Sequence, residues 1–161
     1  DYPVLQSSPE DPEYYLRRDY RGNYDINGSL FLQADCILGE SGNLTIYGHN
    51  MNSGAMFGNL DQYASYDYWK AHPRVFFQTP GGMEEYRIAA VLKADVSMFD
   101  FQRTSFQSPQ ELEAYVAQAK ALSLFETGVD GIGCEKTLTL VTCSYEWKQA
   151  RNILVAVKTG A

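Results

Sequence analysis

No run of 18 or more apolar residues occurs in this chain of 161 residues, so no segment within it crosses a bilayer as a helix. Nothing at the start reads as a signal peptide. Positive charge is scarce: 13 Lys and Arg stand against 20 Asp and Glu, a net charge of -7. That excludes a general nucleic-acid-binding role, which needs a basic face to neutralise phosphates. There is no CxxC and no Cys/His spacing suited to zinc, so neither a metal nor another cofactor is expected. Cysteine is rare and odd in number, with three in all, so at most one disulfide forms. Cys36 and Cys134 pair if the compartment is oxidising, or remain two unpaired buried thiols, which is the preferred reading. Repeats, low-complexity tracts and linkers are also missing, which gives one domain over residues 1–161. The chain opens at Asp1 without Met, directly on the strand-like Tyr2-Pro3-Val4-Leu5, and is expected to be the soluble part of a longer protein.

What is present is apolar and aromatic. Hydrophobic residues make up 45% of the chain, with 12 Tyr and 8 Phe, which points to a β-rich globular domain. Strands are expected at Tyr2 to Gln6, Leu30 to Leu32 and Leu44 to Tyr47, separated by turns at Gly22-Asn23, Asn27-Gly28 and Ser41-Gly42-Asn43. Pro80-Gly81-Gly82 joins Val75-Phe76-Phe77 to Tyr86–Leu92 as a hairpin. Ser108-Pro109-Gln110-Glu111 is a capping box with Pro at the first helical position. Leu112, Tyr115, Val116, Ala119 and Leu122 then recur at helical spacing. A weaker helix is read from Met56 to Tyr63. Thr137 to Thr142 and Asn152 to Lys158 are nearly continuous apolar runs, the pattern of strands buried on both faces. Many short strands with helices packed outside make a mainly β fold, a β-barrel with helical insertions.

Three side chains at strand ends carry the chemistry. Cys143 closes the run Thr137-Leu138-Thr139-Leu140-Val141-Thr142. A thiolate is a nucleophile, but an ordinary thiol at about pKa 8.5 is mostly protonated near neutrality and needs a proton acceptor. His49, after Leu44-Thr45-Ile46-Tyr47-Gly48, is a better candidate than His72, which sits in the polar turn Lys70-Ala71-His72-Pro73-Arg74. Arg151 opens the final strand and offers a permanently charged donor fork for an oxyanion. The strands around Ser144 to Gln149 form a hairpin, which brings Arg151 near Cys143. Spacing alone does not bring His49 to Cys143, and each residue singly also fits a structural role.

Tyr47-Gly48-His49-Asn50-Met51, then Thr139-Leu140-Val141-Thr142-Cys143 and Arg151, resembles the signature of the class B sortases. Asp1-Tyr2-Pro3-Val4-Leu5-Gln6, Tyr14-Tyr15-Leu16-Arg17-Arg18, Gly28-Ser29-Leu30-Phe31-Leu32 and Met56-Phe57-Gly58-Asn59-Leu60 extend the likeness over essentially the whole chain. The resemblance implies an eight-stranded β-barrel with helical insertions, including one long helix before the cysteine strand. It implies a cysteine transpeptidase that cleaves a C-terminal sorting motif after Thr and passes the acyl group to an amine of a peptidoglycan precursor or a pilin. Cys143 is then the nucleophile, His49 the acid and base, and Arg151 the oxyanion donor. Thr142, Ser144, Tyr145 and Asn50 are expected to meet the substrate. The implied setting is a monomer at the extracellular face of the membrane, anchored by an N-terminal segment and serving a surface protein or pilin. Departures from the family pattern are the missing N-terminal helices, Val141 where Ser is frequent, and Ser144 and Tyr145 where some relatives have an acid. Glu146 is read as a solvated loop carboxylate. A thiol hydrolase that yields its thioester to water, and a catalytically silent peptide-binding barrel, remain the alternatives.

Overall fold

A computed structural model describes residues 2–49, 56–143 and 151–159, with the backbone alone at Cys143. Seven strands form one sheet: β1 (Val4–Gln6), β2 (Leu30–Leu32), β3 (Asn43–His49), β4 (Arg74–Thr79), β5 (Gly82–Ala94), β6 (Thr137–Cys143) and β7 (Arg151–Lys158). Their order is β1-β2-β3-β6-β7-β5-β4. Eight strands are expected from the family resemblance, and the described residues hold seven. The pairs β1/β2 and β3/β6 are parallel and the rest antiparallel. The sheet curls into a half-barrel. Its concave side holds Leu44, Ile46, Ile88, Leu138, Leu140 and Leu154. A cavity of about 690 Å³, lined by residues of both edge strands, opens between β1 and β4.

Two helices cover this sheet in different places. α1 (Tyr66–Ala71) begins at Ser65, whose side chain accepts from the Tyr68 N–H. Residues from Met56 to Tyr63 were the expected helix. They form a turn and then the start of a 3₁₀ segment, Leu60–Ala64, and the α-helix starts only after the Ser65 cap. The difference lies in the cap, because a run rich in aromatics carries little helical signal of its own. Trp69 of α1 buries its ring and donates through Nε1 to the Ile88 carbonyl at 3.1 Å. α2 (Pro109–Leu122) is capped by Ser108, and the Arg103–Glu111 ion pair at 3.0 Å ties its first turn to the preceding loop. Leu112, Tyr115, Val116 and Ala119 face the convex side of the sheet, where Tyr47, Phe99, Phe101, Val141, Ile153, Val155 and Val157 complete a second core. No helix among the described residues is long and apolar enough to cross a membrane.

The β3/β6 pairing carries the most residues of any parallel ladder here, from Asn43↔Thr137 to His49↔Cys143. Its start is held by polar atoms rather than by shape. The Asn43 Oδ1 accepts from the Thr137 and Thr139 hydroxyls, both at 2.8 Å. Its Nδ2 donates to the Arg103 carbonyl at 2.9 Å and to Thr45 Oγ1 at 3.0 Å. The Thr45 hydroxyl donates in turn to the Phe101 carbonyl at 2.6 Å, and the Tyr115 hydroxyl of α2 closes the set against Thr139 at 2.8 Å. Asn43, Thr45, Thr137 and Thr139 are each fully enclosed. A buried network of this kind is stable only when complete, since each orphaned group costs about 1–3 kcal/mol.

Cys36 is a buried free thiol, and Cys134 is a half-buried one, so the two do not pair. Burial pushes the Cys36 thiol up to about 11, with the nearby Asp35 charge adding to the rise against an opposing backbone hydrogen bond.

Asn43→Ala should cost on the order of 3 kcal/mol in urea unfolding, because it strands two threonine hydroxyls and a carbonyl; a loss below about 0.5 kcal/mol, the usual size of a surface change, would refute the role given to the network. Cys36 should stay unmodified when folded protein is treated with iodoacetamide in mildly alkaline buffer, since its proton remains bound well below pH 11. Peptide mapping that finds Cys36 alkylated without denaturant would contradict this.

Candidate functional site

Three strand ends meet at the centre of the sheet. The ladder between β3 and β6 runs in register to its last pair, which sets the backbone of His49 beside that of Cys143. This is the approach that sequence spacing does not provide. β6 and β7 pair antiparallel from Thr137↔Val157 to Val141↔Ile153. Carried on by two residues, that register sets Arg151 level with Cys143, on the strand opposite His49. The Thr142 hydroxyl reinforces this continuation by accepting from the Asn152 N–H at 3.0 Å. On its other side Arg151 pairs with Ala94 of β5.

Strand alternation sorts the faces. Tyr47, Val141 and Ile153 belong to the convex core under α2. His49 and Arg151, two residues from Tyr47 and Ile153, share that face. Thr142 lies level with Gly48, whose missing side chain lets Leu30 and Phe57 close in: a Cβ there would meet Leu30 Cδ2 at 2.4 Å and Phe57 Cδ2 at 2.8 Å. The Thr142 hydroxyl is engaged by the β7 backbone, so in this arrangement it joins strands. Asn50, Ser144 and Tyr145, the other residues expected to meet substrate, lie outside the described residues, as does Glu146.

His49 is only 2% exposed. Its Nε2 is hydrogen-bonded to the Leu16 carbonyl, which comes from the 3₁₀ segment Tyr14–Arg17. A carbonyl oxygen only accepts, so Nε2 carries a proton, and whenever the ring is neutral Nδ1 is the lone-pair nitrogen. Arg151 is half-buried, and its guanidinium carbon lies 5.7 Å from the centre of the Phe101 ring, a cation–π distance. Phe101 in turn meets Tyr47 edge-on, and Tyr47 stacks on Phe31. No carboxylate among the described residues pairs with Arg151. Asn152, next in the chain, donates to the Asp61 carboxylate, which ties the start of β7 to the Leu60–Ala64 segment. Among the described residues no group of three or more His, Cys, Asp or Glu is placed to hold a metal ion. His72, the weaker histidine candidate, is exposed at the end of α1 and remote in register from these strand ends.

Sequence reasoning does not find Leu16, Phe101 or Asp61. A backbone carbonyl leaves no trace in residue identity. Phe101 belongs to an irregular stretch with no periodicity, and Asp61 reads as one more surface acid.

A thiol strand, a buried imidazole and a half-buried guanidinium thus converge on one sheet face. Comparison with known proteins gives this convergence a context. The Sortase domain model matches residues 1–159. Sortase B of Listeria monocytogenes is 32% identical over 149 residues, which are 91% of this chain and 58% of the relative. Sortase B of Staphylococcus aureus is 23% identical over 158 residues, 98% of this chain and 64% of the relative. The chain therefore spans less than two thirds of the length of either. The solved structure of Listeria monocytogenes sortase B matches the fold with a TM-score of 0.83 at 30% identity, covering 99% of this chain and 87% of that one. The half-barrel, the order of the motifs and these matches agree that the chain belongs to the sortase family, among its class B members.

Proposed function

We propose that this protein is a cysteine transpeptidase that cuts a C-terminal sorting motif after Thr and joins the freed acyl group to an amine. The observation that carries the reading is the pairing of His49 with Cys143 at the last rung of β3/β6, with Arg151 entering from β7. Sortases are cysteine transpeptidases, and membership of the family supports the reaction class.

In the proposed reaction Cys143 gives its thiol proton to His49, and the resulting thiolate adds to the Thr carbonyl. Negative charge gathers on the oxygen, and the Arg151 guanidinium donates hydrogen bonds to it. A donor fixed in a water-poor site is worth about 3 kcal/mol at such a step. The C–N bond then breaks. The departing amine takes a proton from His49, and a thioester remains on Cys143. An incoming amine attacks that thioester, gives its proton back to His49 and releases the thiolate. One imidazole thus serves as acid and then as base, and each half-reaction returns the proton that the other spends.

Phe101 beneath Arg151 and the near-complete enclosure of His49 favour this chemistry, since charge interactions strengthen as water is excluded. On this reading the donor substrate is a surface protein or pilin bearing a sorting motif, and the acceptor is an amine of a peptidoglycan precursor or a pilin. The domain acts as a monomer at the extracellular face of the membrane, carried there by an N-terminal anchor.

Mass spectrometry of the protein with a panel of sorting peptides should reveal an acyl adduct on Cys143, and an added amine should convert the adduct into a ligated product. An adduct released equally fast to water with or without amine would instead identify a hydrolase. Cys143→Ala should end turnover while the fold, read by circular dichroism, stays intact; ligation by that variant would remove the assignment. His49→Ala should slow the reaction about 100- to 10,000-fold, and a near-native rate would exclude His49 from the proton transfers. Arg151→Lys should also impair the rate, because a point charge does not reproduce the donor fork; undiminished turnover would take Arg151 out of the site.

A further inference from the structure

We infer that Gly28 is a positioning residue for His49, acting through the Leu16 carbonyl; the inference rests on the acid–base role proposed for His49. Leu16 and His49 are 33 positions apart in the chain, and the contact between them is a side chain on a backbone oxygen. No substitution at Leu16 removes that oxygen. What holds it in place is the turn that follows.

The segment Tyr14–Arg17 is bound to the start of β2 by a set of short contacts. The Ser29 N–H donates to the Tyr15 carbonyl at 3.1 Å, and the Ser29 hydroxyl donates to the Arg18 carbonyl at 2.8 Å. The Asp25 N–H donates to the Arg17 carbonyl at 2.9 Å, and the Gly28 N–H closes its own turn on the Asp25 carbonyl at 3.0 Å. These bonds press the Leu16 carbonyl against Gly28. A Cβ at Gly28 would stand 2.2 Å from the Leu16 oxygen, 2.8 Å from the Leu16 carbon and 3.0 Å from the Tyr15 oxygen. All three are backbone atoms, which cannot swing aside as a side chain would. Gly28 also has φ of +63°, in the left-handed region. Any other residue at this point therefore forces the Leu16 carbonyl, the acceptor of the His49 hydrogen bond, to shift.

The carbonyl favours the tautomer with its proton on Nε2. With it in place, Nε2 is the N–H and Nδ1 the base. With it displaced, the preference for a proton on Nε2 weakens, and the fraction with a basic Nδ1 falls. A histidine in the wrong tautomer still folds and still binds substrate, but it is no longer poised to take the proton it must move.

The test uses protein labelled with ¹⁵N at histidine. The chain has two histidines, so a His72→Gln variant assigns the His49 signals. In alkaline buffer, wild-type His49 should show the nitrogen pattern of the Nε2–H tautomer. Gly28→Ala should show a mixture of tautomers, and its kcat for acyl transfer should fall on the order of 100-fold, the cost of a misplacement of about 1 Å, with KM unchanged. Gly39→Ala is the control. Gly39 also has a positive φ, +85°, yet nothing lies within 4 Å of a Cβ there. It introduces comparable backbone strain without moving Leu16 and should keep the native pattern and rate. A folded Gly28→Ala protein with the native His49 pattern or native kcat would overturn the inference. If that variant does not fold, wild-type protein decides: a His49 ring protonated on Nδ1 would overturn the inference equally. Absence of a Cys143 adduct in wild type would overturn the transpeptidase reading instead, and the nitrogen measurement would still decide whether Leu16 sets the tautomer.

Discussion

The buried amide of Asn43 is the constraint on which the geometry of the site depends. Hydrophobic patterning sets which face of a strand points inward, and a slip by one residue would reverse every side chain of β3. Patterning does not distinguish the native register from a slip by two, which keeps apolar residues on the same faces. The amide makes that distinction. Its oxygen accepts two hydroxyl hydrogen bonds from β6, at Thr137 and Thr139. A slip by two leaves at least one of these groups unpaired in the core. It would also move His49 about 6.6 Å along the strand relative to Cys143, out of reach for direct proton transfer. A polar cluster at one end of the ladder thus fixes a catalytic distance at the other.

The route by which each group reaches the site differs in kind. Arg151 arrives locally, across the hairpin from Cys143. His49 arrives over a long chain separation, because parallel pairing of β3 with β6 closes a loop that contains β4, β5 and α2. Closing such a loop costs entropy before the contacts return it. The side chains that offset this cost are shared with the rest of the core: Val141 and Ile153 lie in the same cluster as Tyr115 and Val116 of α2. The reactive groups are thereby mounted on rigid strands with packing behind them.

Much of the architecture is legible in residue order because local and global preferences agree. The Ser108 cap, Pro109 and the spacing of Leu112, Tyr115, Val116 and Ala119 all specify one helix, and that helix is present. The continuous apolar runs of β6 and β7 foretell their burial on both faces, and the Pro80-Gly81-Gly82 turn foretells the β4/β5 hairpin. The helix Tyr66–Ala71 is hidden because its aromatic residues favour strands and only the Ser65 cap marks its start. At the site, residue types and strand ends are readable, since cysteine, histidine and arginine declare their chemistry. Their supports are not. The Leu16 oxygen belongs to every residue alike, and Asn43 reads as part of a turn until its place beneath Tyr115 is known.

The strands that bear His49, Cys143 and Arg151 occupy the third, fourth and fifth places in a sheet of seven. Each has a neighbour on both sides. The unpaired borders are β1, which is three residues long, and β4, whose residues alternate between exposed and half-buried. Thermal fraying therefore begins at the seam and must travel inward through β2 or β5 before it disturbs the reacting groups. Slow amide exchange should concentrate at the middle of the sheet, while the margins breathe on a faster clock. Loosening confined to β1 or β4 therefore leaves the paired strands that carry the reacting groups in place.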